Sequence, residues 1–69
     1  MSKDATILSQ TIEQLESMNR MLEHLRTEIL PKSPKMFALM AQGPLEEMRR
    51  LQTEIKQQTG RILARRRAA

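Results

Sequence analysis

The chain has 69 residues, no cysteine and a formal net charge of +4. A chain this short forms one domain at most, and without disulfides or thiolate metal sites its stability must come from helix packing or oligomerisation. The longest apolar run, 36–41, has six residues, whereas a membrane-spanning helix needs about 20. The sequence therefore predicts a small protein with no membrane segment and, lacking a signal-like apolar stretch near Met1, a cytoplasmic location.

Charge is unevenly distributed along the chain. Residues 1–30 hold three Lys or Arg against five Asp or Glu, which gives −2, and residues 31–69 hold nine against three, which gives +6. Two halves of opposite charge favour an arrangement that folds them back on each other, although exposed ion pairs contribute only some tenths of a kcal/mol each.

The first predicted element is a helix over about residues 4–30, with Ser2 or Asp4 as its N-cap and no Gly or Pro before its end. Its apolar residues follow a heptad, with Leu8 at position a and Thr11 at position d. The predicted seam of this helix consists of Leu8, Leu15, Met18, Leu22, Leu25 and Ile29. Ile7 and Met21 at position g and Ile12 at position e flank the seam, and we interpret them as a candidate second interface.

A connector follows at Pro31, because proline removes a backbone donor and disfavours helix at the preceding residue. Ser33 before Pro34 is the usual pairing of an N-cap with a first-turn proline, and predicts a short helix over about residues 34–42 that Gly43 ends. Its closely spaced apolar residues, with Phe37 as the only aromatic side chain, suggest that this segment packs across the end of the longer helices.

The third predicted element is a helix over about residues 44–64, with Pro44 in its first turn. Its seam residues are Met48, Leu51, Ile55 and Ile62. Gly60 weakens the helix near its end, because Gly in a helix interior costs roughly 1 kcal/mol relative to Ala. Residues 65–69 have no apolar partner and are predicted to be a disordered basic tail beyond a single domain of residues 1–64.

The sequence offers few groups that carry chemistry. His24 and Glu28 lie one helical turn apart, but two ligands do not make a metal site, and heptad position c points His24 to solvent. Asn19 at position e is read as solvated, with a role in fixing helix register as the alternative. No nucleophile–base arrangement, phosphate-binding Gly loop or zinc spacing occurs. We therefore expect no catalysis, no cofactor and no metal.

Basic residues at the C-terminal end are the candidates for contact with phosphate groups. They are Arg61, Arg65, Arg66 and Arg67. Such contacts would be salt-sensitive and independent of nucleic-acid sequence, and neither an interleaved aromatic nor a helix-turn-helix motif accompanies them.

Together these observations predict an all-α fold, an antiparallel helical hairpin whose two long helices are joined by a short helical connector. One hairpin cannot cover both apolar stripes, so we expect two copies to form a homodimeric four-helix bundle. The functional hypothesis is a non-enzymatic protein–protein interaction module, such as an adaptor, a chaperone-like subunit, an inhibitor or an assembly factor, whose partner is a larger protein. The alternative is a small dimeric nucleic-acid-associated protein.

Overall fold

The computed structural model describes the backbone of residues 3–68 and the side chains of residues 3–65. Helix α1 spans Lys3–Glu28 and helix α2 spans Pro34–Ala68, and the described residues contain no strand. The helices lie antiparallel in a hairpin with extents of 55 × 18 × 12 Å. The prediction of an all-α hairpin is therefore confirmed.

The connector turns the chain while satisfying most of its own backbone groups. The N–H groups of Ile29 and Leu30 both donate to the carbonyl of Leu25, at 2.9 and 3.1 Å. Those of Lys32 and Ser33 both donate to the carbonyl of Ile29, at 3.0 and 2.8 Å. The carbonyl of Leu25 in the last turn of α1 and that of Ile29 in the connector thus accept from four amides, and Pro31 has no N–H to satisfy.

Ser33 caps α2, as its position before Pro34 predicts. The Ser33 Oγ accepts a hydrogen bond from the N–H of Met36 at 3.1 Å, and its carbonyl accepts one from the N–H of Phe37 at 3.0 Å. Pro34 fills the first helical position, where a missing N–H costs nothing. Asp4, the alternative cap predicted for the first helix, lies inside α1 and pairs with Arg65, while Ser2 lies outside the described residues.

The predicted division of the second half into helices 34–42 and 44–64 is wrong, because α2 continues through Gly43 and Pro44. Gly43 has no positive φ, and Pro44 leaves the carbonyl of Met40 without its usual intrahelical donor. Such a proline costs about 3 kcal/mol or more in a helix interior. The inward-facing stripe of α2 keeps its phase across this point, and we attribute the continuous helix to packing of that stripe on α1.

Two further predictions need correction. The segment predicted to pack across the end of the bundle is the first part of α2, where Met36, Leu39 and Met40 are exposed and Phe37 is half-buried. The predicted disordered tail is helical through Ala68, and residue 69 lies outside the described residues.

A single seam holds the hairpin together. Inward positions alternate at spacings of three and four residues on both helices, and all of them are buried or half-buried apart from the exposed Arg65. On α1 they are Asp4, Leu8, Thr11, Leu15, Met18, Leu22 and Leu25, with Ile29 following in the connector; on α2 they are Phe37, Ala41, Pro44, Met48, Leu51, Ile55, Gln58, Ile62 and Arg65. This is the three-and-four packing of antiparallel coiled coils.

Candidate interaction surfaces

The seam residues predicted from the sequence are all buried or half-buried. Leu25 and Leu51 are buried, and Leu51 is fully enclosed. The other members are half-buried: Leu8, Leu15, Met18, Leu22, Ile29, Met48, Ile55 and Ile62. Half-burial follows from geometry, because one neighbouring helix covers only part of the circumference of the other.

Two polar pairs join α1 and α2 at the terminal end of the hairpin. Arg65 donates to the carboxylate of Asp4, and the side-chain amide of Gln58 donates to the Oγ of Thr11 at 3.4 Å. Seven residues separate Asp4 from Thr11, and seven also separate Gln58 from Arg65. Both pairs therefore form in the same alignment of α1 with α2.

The Thr11–Gln58 layer is a polar site inside the seam. Thr11 is buried, and its hydroxyl donates to the carbonyl of Ile7 at 3.0 Å. Gln58 Oε1 is enclosed and accepts no hydrogen bond in the described part of the chain. The heptad placed Thr11 at position d, whereas Gln58, between the predicted seam residues Ile55 and Ile62, was missed because the predicted seam of α2 contained apolar side chains alone.

The candidate second interface divides between two sides of the hairpin. Ile7, Ile12 and Met21 are 43%, 40% and 47% exposed. One open groove between the helices is lined by Gln14, seven residues from both Ile7 and Met21, together with Ser17, Met18, Glu47, Arg50 and Leu51. The opposite groove is lined by Asn19, seven residues from Ile12, together with Leu15, Glu16, Met48 and Gln52. The three residues therefore do not form one surface.

We name these sides by their heptad positions, with Met48 at position a and Leu51 at position d of α2. The Ile12 face consists of the e positions Ala5, Ile12, Asn19 and Arg26 on α1 and Ala38, Leu45, Gln52 and Thr59 on α2. The Met21 face consists of the g positions Ile7, Gln14, Met21 and Glu28 on α1 and Met40, Glu47, Glu54 and Arg61 on α2.

Ion pairs follow the helix surface. Arg50 pairs with Glu47 and with Glu54, the latter at 2.5 Å, and Arg26 pairs with Glu23 at 2.8 Å. The hydrogen bond from Arg26 and then its charge hold the pKa of Glu23 below its ordinary value. The hydrogen bond from Arg50 lowers the pKa of Glu47 in the same way, and that carboxylate raises the pKa of Arg50.

The predicted phosphate contacts are only partly described. Arg61 is exposed and makes no ion pair with the described residues, whereas Arg65 pairs with Asp4. The backbones of Arg66 and Arg67 are helical, and their side chains lie outside the described residues.

A basic stripe that sequence reasoning missed runs along α2. Lys35, Arg49 and Lys56 are exposed, occupy the same heptad position, b, and make no ion pair within the described part of the chain. The predicted break at Gly43 interrupted the helical phase between Lys35 and Arg49. Their spacings of fourteen and seven residues were the available signal.

The remaining polar candidates stay on the surface. His24, Glu28 and Asn19 are exposed. The described residues contain no group of three or more side chains suited to a metal ion. Neither helix, over its described length, has an apolar stretch sufficient to cross a membrane. No known protein family, curated protein or solved structure matches this chain.

Proposed function

We propose that this protein is a non-enzymatic helical interaction module that works as a homodimeric four-helix bundle. The observation that carries the proposal is the surface left uncovered by one hairpin. The chain has 5648 Å² of accessible surface. A compact folded monomer of 8.0 kDa has about 4,450 Å².

The excess surface is comparable in size to the interface of an obligate homodimer. It amounts to about 1,200 Å² per chain, or about 2,400 Å² for a pair, and obligate homodimers bury roughly 2,000 to 5,000 Å². A rod has more surface than a sphere of the same mass, and side-by-side packing of two rods reduces that excess.

The thin interior supports the same proposal. Among the described residues, Leu51 is the one large side chain with essentially no exposure. A chain of this size without disulfides rarely gains enough stability from a single row of contacts. Apolar side chains also remain exposed on both sides of the seam, including Ile12 and Leu45 on the Ile12 face and Met21 and Met40 on the Met21 face.

Sedimentation velocity at micromolar concentration tests the dimer. We expect a species of about 16 kDa, twice the 8.0 kDa of the chain, with strong helical circular dichroism. A species of 8 kDa that keeps its helical signal would show that one hairpin is sufficient and would remove the proposal.

Affinity purification tests the interaction function. Leu22→Asp places a carboxylate in the seam, so we expect loss of both the bundle and the captured partner protein. Arg61→Ala alters an exposed residue outside the seam and should leave capture unchanged. Capture that survives Leu22→Asp would contradict a function based on helix pairing.

The basic stripe favours a second candidate function, nucleic-acid association. Lys35, Arg49 and Lys56 present aligned positive charge along α2. Phosphate contacts of this kind are strongest at low salt. A gel shift of DNA and RNA at about 50 mM salt decides it, because absence of retardation there removes the candidate.

A further inference from the structure

We propose that the two copies pack through their Ile12 faces about a two-fold axis parallel to the helices. In this arrangement α1 of each copy lies beside α2 of the other, and the two connectors lie at the same end of the bundle. The inference rests on the proposed homodimer and specifies its interface.

The Ile12 face is the better candidate for burial because it carries less charge. Its one charged member in the described part of the chain is Arg26, which already pairs with Glu23. The Met21 face contains four charged residues: Glu28, Glu47, Glu54 and Arg61. Interface cores are depleted of charge, since burying an ion without a partner is costly.

The edges of the Ile12 face are oppositely charged on the two helices. Position b lies next to position e on the side away from the seam. On α1 this edge holds Glu16 and Glu23, whereas on α2 it holds the basic stripe Lys35, Arg49 and Lys56.

These charges determine which helix of the second copy lies beside α1. If α1 lies beside α2 of the second copy, acidic edges meet basic edges on both sides of the bundle. If α1 lies beside α1 of the second copy, Glu16 and Glu23 meet their own counterparts and the basic stripes meet each other. Like-charge pairs are unfavourable by amounts similar to the gain from opposite pairs, so the first arrangement is preferred.

The register of the hairpin brings the opposite charges within reach. Glu16 and Gln52 line the same groove and therefore lie at similar heights along the hairpin. A two-fold axis parallel to the helices preserves these heights in the second copy. Arg49 and Lys56 lie three and four residues from Gln52, or about 4.5 and 6 Å along the helix, so their long side chains reach the height of Glu16.

Charge reversal tests the arrangement. Sedimentation equilibrium at low salt compares the wild type with Glu16→Lys, with Arg49→Glu and with the chain carrying both. We expect each single variant to weaken its homodimer about five-fold, because the reversed contact occurs twice in a symmetric dimer. The double variant, and an equimolar mixture of the single variants, should regain wild-type affinity.

A matched control distinguishes the effect of the Glu16 contact on dimer affinity from the effect of the change in net charge. Glu13→Lys makes the same charge change at an exposed position of α1 outside both faces and should leave dimer affinity unchanged. High salt should weaken the wild-type dimer, because opposite charges at the rim are screened. A Glu16→Lys homodimer as tight as the wild type, together with tighter wild-type association in high salt, overturns the arrangement in favour of α1 beside α1.

A second pair of variants tests the face itself. Ile12→Asp should dissociate the dimer, whereas Met21→Asp, on the opposite face, should leave it intact. The reverse result overturns the proposed face while leaving the homodimer standing. A wild-type chain that is monomeric and helical instead removes the homodimer itself, so the two failures are distinguishable.

Discussion

The two halves of the hairpin are held together by different chemistry. In the connector half, which runs from Met18 through the connector to Leu51, the seam is apolar, and it contains the buried Leu25, Ala41 and Leu51. In the terminal half, the buried inward residue is Thr11, which is bound by Gln58, and the seam ends at an Asp4–Arg65 ion pair.

This difference separates stability from specificity. Apolar side chains pack favourably in several registers, whereas a polar pair inside a seam is satisfied in one. The turn already constrains the register of the connector half. A polar pair therefore contributes most to specifying the register when it lies at the other end of the hairpin. We infer that the connector half supplies most of the packing free energy and that the terminal half fixes the register.

The largest expected effect comes from removing apolar contacts in the connector half. Leu25→Ala should lower the free energy of unfolding by about 3 kcal/mol, because it removes a buried side chain and leaves a cavity. Leu8→Ala is the matched change in the terminal half and should cost about half as much, since Leu8 is only half-buried. Thermal and urea unfolding followed by circular dichroism measure both, and equal losses would contradict the inferred division.

Pro44→Ala should stabilise the connector half by about 1 to 2 kcal/mol. Alanine restores the N–H that donates to the carbonyl of Met40, and part of that gain is offset by lost contact of the half-buried ring. The same unfolding measurements apply, with Ala38→Gly as a control that lowers helix propensity nearby. A less stable Pro44→Ala protein would mean that the proline ring packs on α1 more strongly than its helix-breaking effect costs.

Pro44 also shows where sequence reasoning succeeds and where it fails. Heptad spacing predicted the apolar seam residues of the first helix and those of α2 from Met48 onward, and the Ser33–Pro34 pair predicted the start of α2, because both depend on local chemistry. The predicted seam omitted Phe37, Ala41 and Pro44. Continuation of the helix through Gly43 and Pro44 depends on contacts with α1. The sequence indicates the helix-breaking cost of a proline, but it does not give the packing free energy from residues that are distant in sequence.

The same limit explains the candidate surfaces. The exposure of Ile7, Ile12 and Met21 follows from their e and g positions. Their division between two faces becomes visible only when the positions of both helices are known, because each groove is formed by the two helices together. The alignment of Lys35 with Arg49 was hidden because it extends across the predicted break.

Replacing the polar layer should sharpen the contrast between stability and register. In the variant Thr11→Leu with Gln58→Leu, apolar contacts replace a weak hydrogen bond and an unsatisfied oxygen, so stability should rise by about 1 kcal/mol. Register should become less well defined. Spin labels at Lys3→Cys and Ala64→Cys measure this as a broader distance distribution than in the otherwise wild-type chain. An equally narrow distribution would show that the turn and Asp4–Arg65 fix the register alone.

The smallest expected effect is a loss of stability in acid that arises in the connector half. The folded-state pKa values of Glu23 and Glu47 are lowered by their Arg26 and Arg50 partners. Their contribution is therefore present above the unfolded value of about 4.3 and is lost as pH falls through the lowered folded values. Both pairs are exposed, so the loss should be small. Melting temperatures from pH 7 to pH 3 should fall less for Glu23→Gln with Glu47→Gln than for the wild type. Identical pH profiles would show that these two ion pairs do not contribute to the loss of stability in acid.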